Sequence, residues 1–293
     1  MTMDMGRVVS GIRGRVRGSR ARKKDKVAFV LSGGGVLGAM QVGQLEALIG
    51  AGIVPDLIVG ASVGALNGAA IAARPDMDGV DCLKRTWLGL KSEDIFPGSS
   101  VSRALSVVLR GDHLYPNSGI RALIDKVAAQ NFEQMPVPLS VCAANMRTGE
   151  ETWFEHGPIA PAILASTALP GLFPTVEIDG ERFTDGGIVN NVPISRAVEL
   201  GATKIYVLYC ASNGSELPTR GAFGVLLRAF AHSRAARATL DLKRYAGQAD
   251  IEVLPTFDPG TIHYKDTSHG TRLYAEALAL TSAHLASQAE ATA

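Results

Sequence analysis

The chain is short of the features that mark a secreted or membrane-spanning protein. Only three of its 293 residues are cysteine, Cys82, Cys142 and Cys210. An odd, scattered set excludes a disulfide framework, shows no metal-ligand spacing, and favours a reducing compartment. Long apolar runs are equally scarce. Val27–Leu31 is too short for the core of a secretory signal and runs straight into glycines. An uncharged window of near membrane length, residues 57–73, holds Asn67 and is dominated by Gly and Ala. It reads as a buried strand, turn and helix rather than a span. There is no excess of charge of either sign: the formal net charge is +1, which excludes nucleic acid as a partner for the chain as a whole.

What is present is ample core material. Hydrophobic residues make up 46% and charged residues 19%, which suits a packed globular protein. The charge is unevenly spread. Residues 1–26 carry nine Lys/Arg against Asp4 and Asp25, with four glycines and almost no large apolar side chains. Such a segment cannot bury enough surface to fold alone, and it reads as a flexible basic arm. The organisation expected is therefore an arm over 1–26 and one domain over 27–293. The arm is either a solvated extension or an electrostatic anchor to anionic lipid heads.

Along the domain, the pattern strand, Gly-rich turn, helix occurs twice in succession. Val27–Leu31 leads through glycines to a helix over 40–49, and a strand over 57–59 leads to a helix over 65–73. That is the pattern of a parallel sheet covered by helices. Further strands are expected over 139–144, Glu151–Phe154 (a hairpin through Thr148-Gly149), 204–209 and 251–254, with a closing helix over 273–285. Residues 89–135 are the least regular; 101–109 reads as a connecting helix or, less simply, a lid. Residues 221–245 form a basic amphipathic stretch, which either covers the sheet or lies on a membrane surface.

Three separated segments carry chemistry. Gly60-Ala61-Ser62-Val63-Gly64 follows a strand and opens a helix, the context of a nucleophile elbow. Gly60 and Gly64 let strand and helix approach closely while Ser62 takes strained angles. The plainer role for Ser62 is a helix N-cap. Residues 33–38 also join a strand to a helix. Their spacing, Gly33-x-Gly35-x-x-Gly38, matches the dinucleotide fingerprint, but the acidic residue required after the second strand is missing. Asp56 stands before that strand. Gly33, Gly34 and Gly35 instead suit an oxyanion hole of backbone N–H donors. Asp185-Gly186-Gly187 follows a hairpin over 176–183 and precedes a helix expected to begin near Pro193. Alone it is a turn; beside Ser62 its carboxylate could take the serine proton directly. Acyl transfer needs all three parts together.

With these motifs, and with Ser166-Thr167-Ala168-Leu169-Pro170-Gly171-Leu172-Phe173-Pro174 and the run from Asp185 through Asn190-Asn191-Val192-Pro193-Ile194, the chain resembles the patatin-like phospholipases from about residue 27 to 254. The resemblance implies a three-layer α/β/α sandwich with a mostly parallel sheet. It implies a Ser62–Asp185 dyad, an oxyanion hole from Gly33, Gly34 and Gly35, and Gly38, Gly60, Gly64, Gly186 and Gly187 in support. No metal or cofactor is implied. The expected activity is hydrolysis of phospholipid or simple acyl esters. One departure stands out: Leu37 occupies the place where many members carry Arg, which favours neutral esters over phospholipids.

Other readings remain open at this stage. Ser62, Asp185 and His263 or His269 follow the chain order of α/β-hydrolase triads. A nucleotide-binding protein using the glycine loop, or a silent membrane-binding module using residues 1–26 or 221–245, is also consistent with the sequence. The expected location is cytoplasmic, with peripheral membrane contact through those two segments. Oligomeric state is not encoded in any motif.

Overall fold

The computed structural model describes residues 25–97, 113–210 and 222–291. In chain order the strands and helices are β1 (Val27–Leu31), α1 (Gly38–Gly50), β2 (Leu57–Ala61), α2 (Val63–Ala73), α3 (Met77–Leu88), α4 (Ser92–Ile95) and α5 (Ser118–Val127). They continue with β3 (Leu139–Asn145), β4 (Glu151–Phe154), α6 (Ile159–Ser166), β5 (Val176–Ile178), β6 (Glu181–Asp185), α7 (Gly187–Asn190) and α8 (Ile194–Glu199). The last are β7 (Lys204–Leu208), α9 (Ala222–Tyr245), β8 (Asp250–Val253) and α10 (Gly270–Glu290).

The strands form one sheet in the order β5-β6-β3-β2-β1-β7-β8, with β4 also on β3. From β3 to β8 the pairings are parallel. Those of β4, β5 and β6 are antiparallel. β2 and β3 are buried along their whole length, as parallel strands covered on both faces must be. Alternation sorts their side chains. Phe29, Leu31, Ile58, Leu139 and Val141 face a core shared with α1, α2, α3, α5, α6 and α10. Ala28, Val30, Leu57, Val59 and Val207 face a second core closed by α8 and α9. The result is three layers, helices on both faces of a mixed, mostly parallel sheet, as the motifs implied.

The register of β3 positions the site. Its residues Val141–Ala144 pair with β4 along one edge. Along the other edge β2 occupies Leu139 to Cys142, and β6 takes over from Ala143 to Asn145. β2 runs parallel to β3 and β6 antiparallel, so the two meet head to head. Ala61, the last residue of β2, faces Cys142, and Asp185, the last residue of β6, faces Ala143.

Some expectations shift. β2 extends through Ala61 and α2 begins at Val63, so one residue separates strand from helix. Pro193 caps α8 instead of opening it, and the four-residue α7 directly after Gly186 was not foreseen. Lys26 belongs to the fold: its amide donates to Thr203 Oγ1 at 2.9 Å and its Nζ to the Leu200 carbonyl at 2.7 Å. The rest of the basic arm through Lys24, and residues 101–109, lie outside the described residues. The basic stretch folds as α9 and packs on α7 and α8 with Ala231, Ala238 and Leu242 buried. Among the described residues no helix is long and apolar enough to cross a membrane.

Candidate active site

The elbow is built by a close backbone crossing. A Cβ on Gly60 would stand 2.5 Å from the Gly64 carbonyl oxygen, and one on Gly64 would strike the Leu31 carbonyl. With both side chains absent, β2 turns into α2 through Ser62 alone. Ser62 adopts φ 54°, ψ −127°, a conformation that costs a non-Gly residue of order 1–3 kcal/mol. Its hydroxyl does not cap α2; it donates to Asp185 Oδ2 at 2.7 Å. Its amide donates to Ser166 Oγ at 2.9 Å.

Asp185 is 3% exposed. Its Oδ1 accepts the Gly187 amide at 2.7 Å, so each carboxylate oxygen has one donor. Burial raises its pKa above the ordinary aspartate value. The Ser62 hydroxyl, the Gly187 N–H and the charge of Arg234 oppose that rise. Gly186 gives the close packing this turn needs, because a Cβ there would run into the Cys142 carbonyl.

The glycine loop lies beside this pair. The Gly33 amide donates to the Asn191 carbonyl at 3.1 Å, and Asn191 Nδ2 donates to the Gly33 carbonyl at 3.2 Å. The Gly33 amide, expected as an oxyanion donor, is thus engaged in a clamp with Asn191. Gly34 and Gly35 line the pocket, and their amides make no backbone hydrogen bond among the described residues. Gly35, at φ 59°, supplies the left-handed step that turns the loop. Gly38 opens α1 where a Cβ would press on Val63 and the Trp87 ring. Beneath the loop, Gln41 Nε2 donates to the carbonyls of Ser32 and Leu208. Asn67 Nδ2 reaches Gln41 Oε1 and the Gly38 carbonyl, while Trp87 Nε1 donates to Asn67 Oδ1. Partners on this scale make a buried polar network rigid.

Ser62, Asp185, Gly34 and Gly35 open onto a cavity of about 190 Å³ whose walls include Leu66, Trp87, Phe96, Leu172, Phe173 and Ile262. Among the described residues, Asp185 and Arg234 are the only charged side chains lining it. Its other hydroxyl close to the backbone, Thr167 Oγ1, donates to the Ile163 carbonyl at 2.8 Å. Burial pushes the Cys210 thiol behind Gly34 up to about 12, so it stays protonated and unreactive at neutral pH.

Neither histidine of the triad reading enters the site. His263 stacks on Tyr264, His269 sits 3.4 Å from Asp266, and the Ser62 proton points directly at Asp185. Asp56 accepts the Val27 amide at 2.8 Å, at the end of the sheet away from the glycine loop, where it cannot hold a ribose. The sequence reading gave Ser166, Asn191 and Arg234 no individual roles. The first two lie inside the long stretches that carried the resemblance; Arg234 had no signal beyond the basic character of its helix.

The fold and this site define a class: an α/β/α sandwich with a serine hydroxyl on a strained strand–helix turn, hydrogen-bonded to a buried aspartate. The chain belongs to the patatin-like phospholipase family, whose description matches residues 29–198. It is 31% identical over 209 residues to an uncharacterized NTE family protein of Mycobacterium bovis, a match covering 71% of this chain and 54% of that protein. It is 27% identical over 187 residues to patatin-like phospholipase domain-containing protein 7 of Rattus norvegicus, covering 63% of this chain and 13% of the rat protein. The chain therefore spans about half the length, or less, of these relatives. The crystal structure of VipD from Legionella pneumophila shares the fold, with a TM-score of 0.53 at 16% identity, covering 89% of this chain and 66% of that one.

Proposed function

We propose that the chain is a serine lipid acyl hydrolase that cleaves carboxylic esters through a Ser62–Asp185 dyad. The observation that carries this reading is the 2.7 Å Ser62–Asp185 hydrogen bond on the wall of a mostly apolar cavity. Ser62 Oγ attacks the ester carbonyl while Asp185 Oδ2 takes its proton. The amides of Gly34 and Gly35 receive the charge on the tetrahedral oxygen; losing one such donor typically costs about 2.7–4 kcal/mol. Asp185 then hands the proton to the leaving alcohol, and an acyl ester remains on Ser62. Water attacks that ester with Asp185 again accepting a proton, which frees the carboxylic acid. The cavity exceeds the roughly 150 Å³ that accommodates one benzene ring, room for the reacting ester and the first carbons of an acyl chain. The substrate reaches the site from a lipid surface, with residues 1–26 or 221–245 as the contact.

Wild type is expected to hydrolyse p-nitrophenyl butyrate and to be labelled by a fluorophosphonate on Ser62. Ser62→Ala and Asp185→Asn should each lower kcat by about a thousandfold or more. Unchanged hydrolysis in either variant, or an adduct mapped to another residue, overturns the assignment. Salt-sensitive binding to anionic vesicles should weaken when residues 1–24 are removed.

A further inference from the structure

The glycine loop offers the cavity no cation, because Leu37 lines it there. A cation arrives from another element. Arg234, on α9, lines the same cavity as Ser62, Asp185 and Gly34. Its charge is felt by both Asp185 and Cys210. Yet it has no carboxylate within 4.0 Å among the described residues, and its Nε is shielded from solvent with no hydrogen-bond partner. One turn further on, Arg237 shows how this helix treats a cation that serves structure. It binds Asp241 at 2.8 Å, Glu151 at 2.9 Å and the Val189 carbonyl.

A half-buried guanidinium with an orphaned N–H is costly unless something completes it. Asp185 does not complete it, since its carboxylate lies beyond 4.0 Å of the guanidinium. Arg234 lines the cavity, so an acceptor that enters it can reach this side chain. An anion suits it best, because a fixed cation in mostly apolar walls attracts charge strongly, and a guanidinium fork matches phosphate oxygens in pairs. The rest of the lining is apolar and suits an acyl chain.

Resting on the hydrolase reading above, we infer that Arg234 binds a phosphate of the substrate and so selects acyl esters carrying a phosphate over uncharged esters of the same chain. This reverses the preference for neutral esters that Leu37 suggested. Arg234 is a specificity residue here; the chemistry stays with Ser62 and Asp185.

The test compares three substrates with one acyl chain: a monoacylglycerol, a lysophosphatidic acid and a lysophosphatidylglycerol. Wild type, Arg234→Lys and Arg234→Gln are assayed below the lipids' micellar concentrations, and circular dichroism verifies folding. In Arg234→Gln the ratio of kcat/KM for the phosphate-bearing lipids to that for the neutral lipid should fall at least tenfold, with part of it regained in Arg234→Lys. A fall confined to lysophosphatidic acid identifies a phosphate monoester as the ligand; a fall shared by both identifies the diester as sufficient. A ratio that stays within threefold overturns the inference, and if both rates drop together Arg234 is left as electrostatic support for Asp185. A second arm is independent of turnover. Calorimetry of decyl phosphate with Ser62→Ala should show binding that Ser62→Ala/Arg234→Gln loses tenfold or more. Binding that persists in the double variant overturns the inference. If wild type hydrolyses nothing but this Arg234-dependent binding is seen, the phosphate site stands, and the hydrolase reading falls together with the ester selection that rests on it.

Discussion

At the residue scale the site turns on one proton. Asp185 is buried, and burial pushes its carboxyl above the ordinary aspartate range even though Ser62, Gly187 and Arg234 pull the other way. In the proposed mechanism it must be ionised to accept the serine proton, so activity should fall on the acid side with an apparent pKa above about 3.9, the unperturbed aspartate value. A kcat/KM profile on a neutral ester checks this; an acid limb at or below the unperturbed value contradicts it. The same shift has a sign for stability. The folded protein holds this proton more tightly than the unfolded chain does. Its stabilising contribution is therefore full below the unperturbed pKa and is lost as pH rises through the raised one. Asp185→Asn, neutral at every pH, should accordingly melt no lower than wild type at pH 7 while being inactive. Of this, the sequence offered the identity of the two residues but not their distance. Spacing cannot reveal that a hydroxyl 123 positions away lies within hydrogen-bond reach of a carboxylate.

At the element scale the strained turn between β2 and α2 is the feature to probe. Ser62 occupies positive φ because the strand–helix crossing imposes it, and that crossing exists because Gly60 and Gly64 lack side chains. Gly64→Ala should cost about 1–3 kcal/mol of overpacking and reduce activity with it. By contrast, Ser62→Gly should unfold at higher denaturant than Ser62→Ala, by about 1 kcal/mol, because glycine accepts the turn without strain. Equal midpoints for those two would show that the backbone relaxes freely. This element was readable in advance: the glycine pair, the strand before and the helix after are local signals. The short α7 was not, because Gly-Gly is a weak helix start; it is held by the Gly187 amide on Asp185, by Asn190 Nδ2 on Glu151 and Ser195, and by Arg237 on the Val189 carbonyl.

At the scale of the whole molecule the layers were legible, because alternating strands and helices with short Gly-rich turns admit few topologies. What was not legible was every tie that crosses the sheet. Asn191 binds the Gly33 backbone 158 positions away, and Ser166 holds the Ser62 amide across 104. The sequence marked their stretches without assigning them partners. Asn191→Ala removes a donor to the glycine loop, so the amides of Gly34 and Gly35 should lose their aim. We expect kcat to fall between about ten- and a hundredfold, as small misplacements in a site do, with a loss of only about 1 kcal/mol in stability. Denaturant melts alongside kcat separate the two effects. The head-to-head meeting of β2 and β6 on β3 has its own corollary. Ser62 and Asp185, the proposed nucleophile and base, arrive from opposite directions and share no loop, so either strand can acquire insertions at its far end without disturbing the other. The junction itself tolerates no slippage. Because neighbouring strand residues face opposite ways, sliding β6 by one place along β3 would turn the carboxylate into the opposite layer. The spacing of the two groups is thus indexed by a single peptide unit, Cys142 to Ala143, to which neither of them belongs.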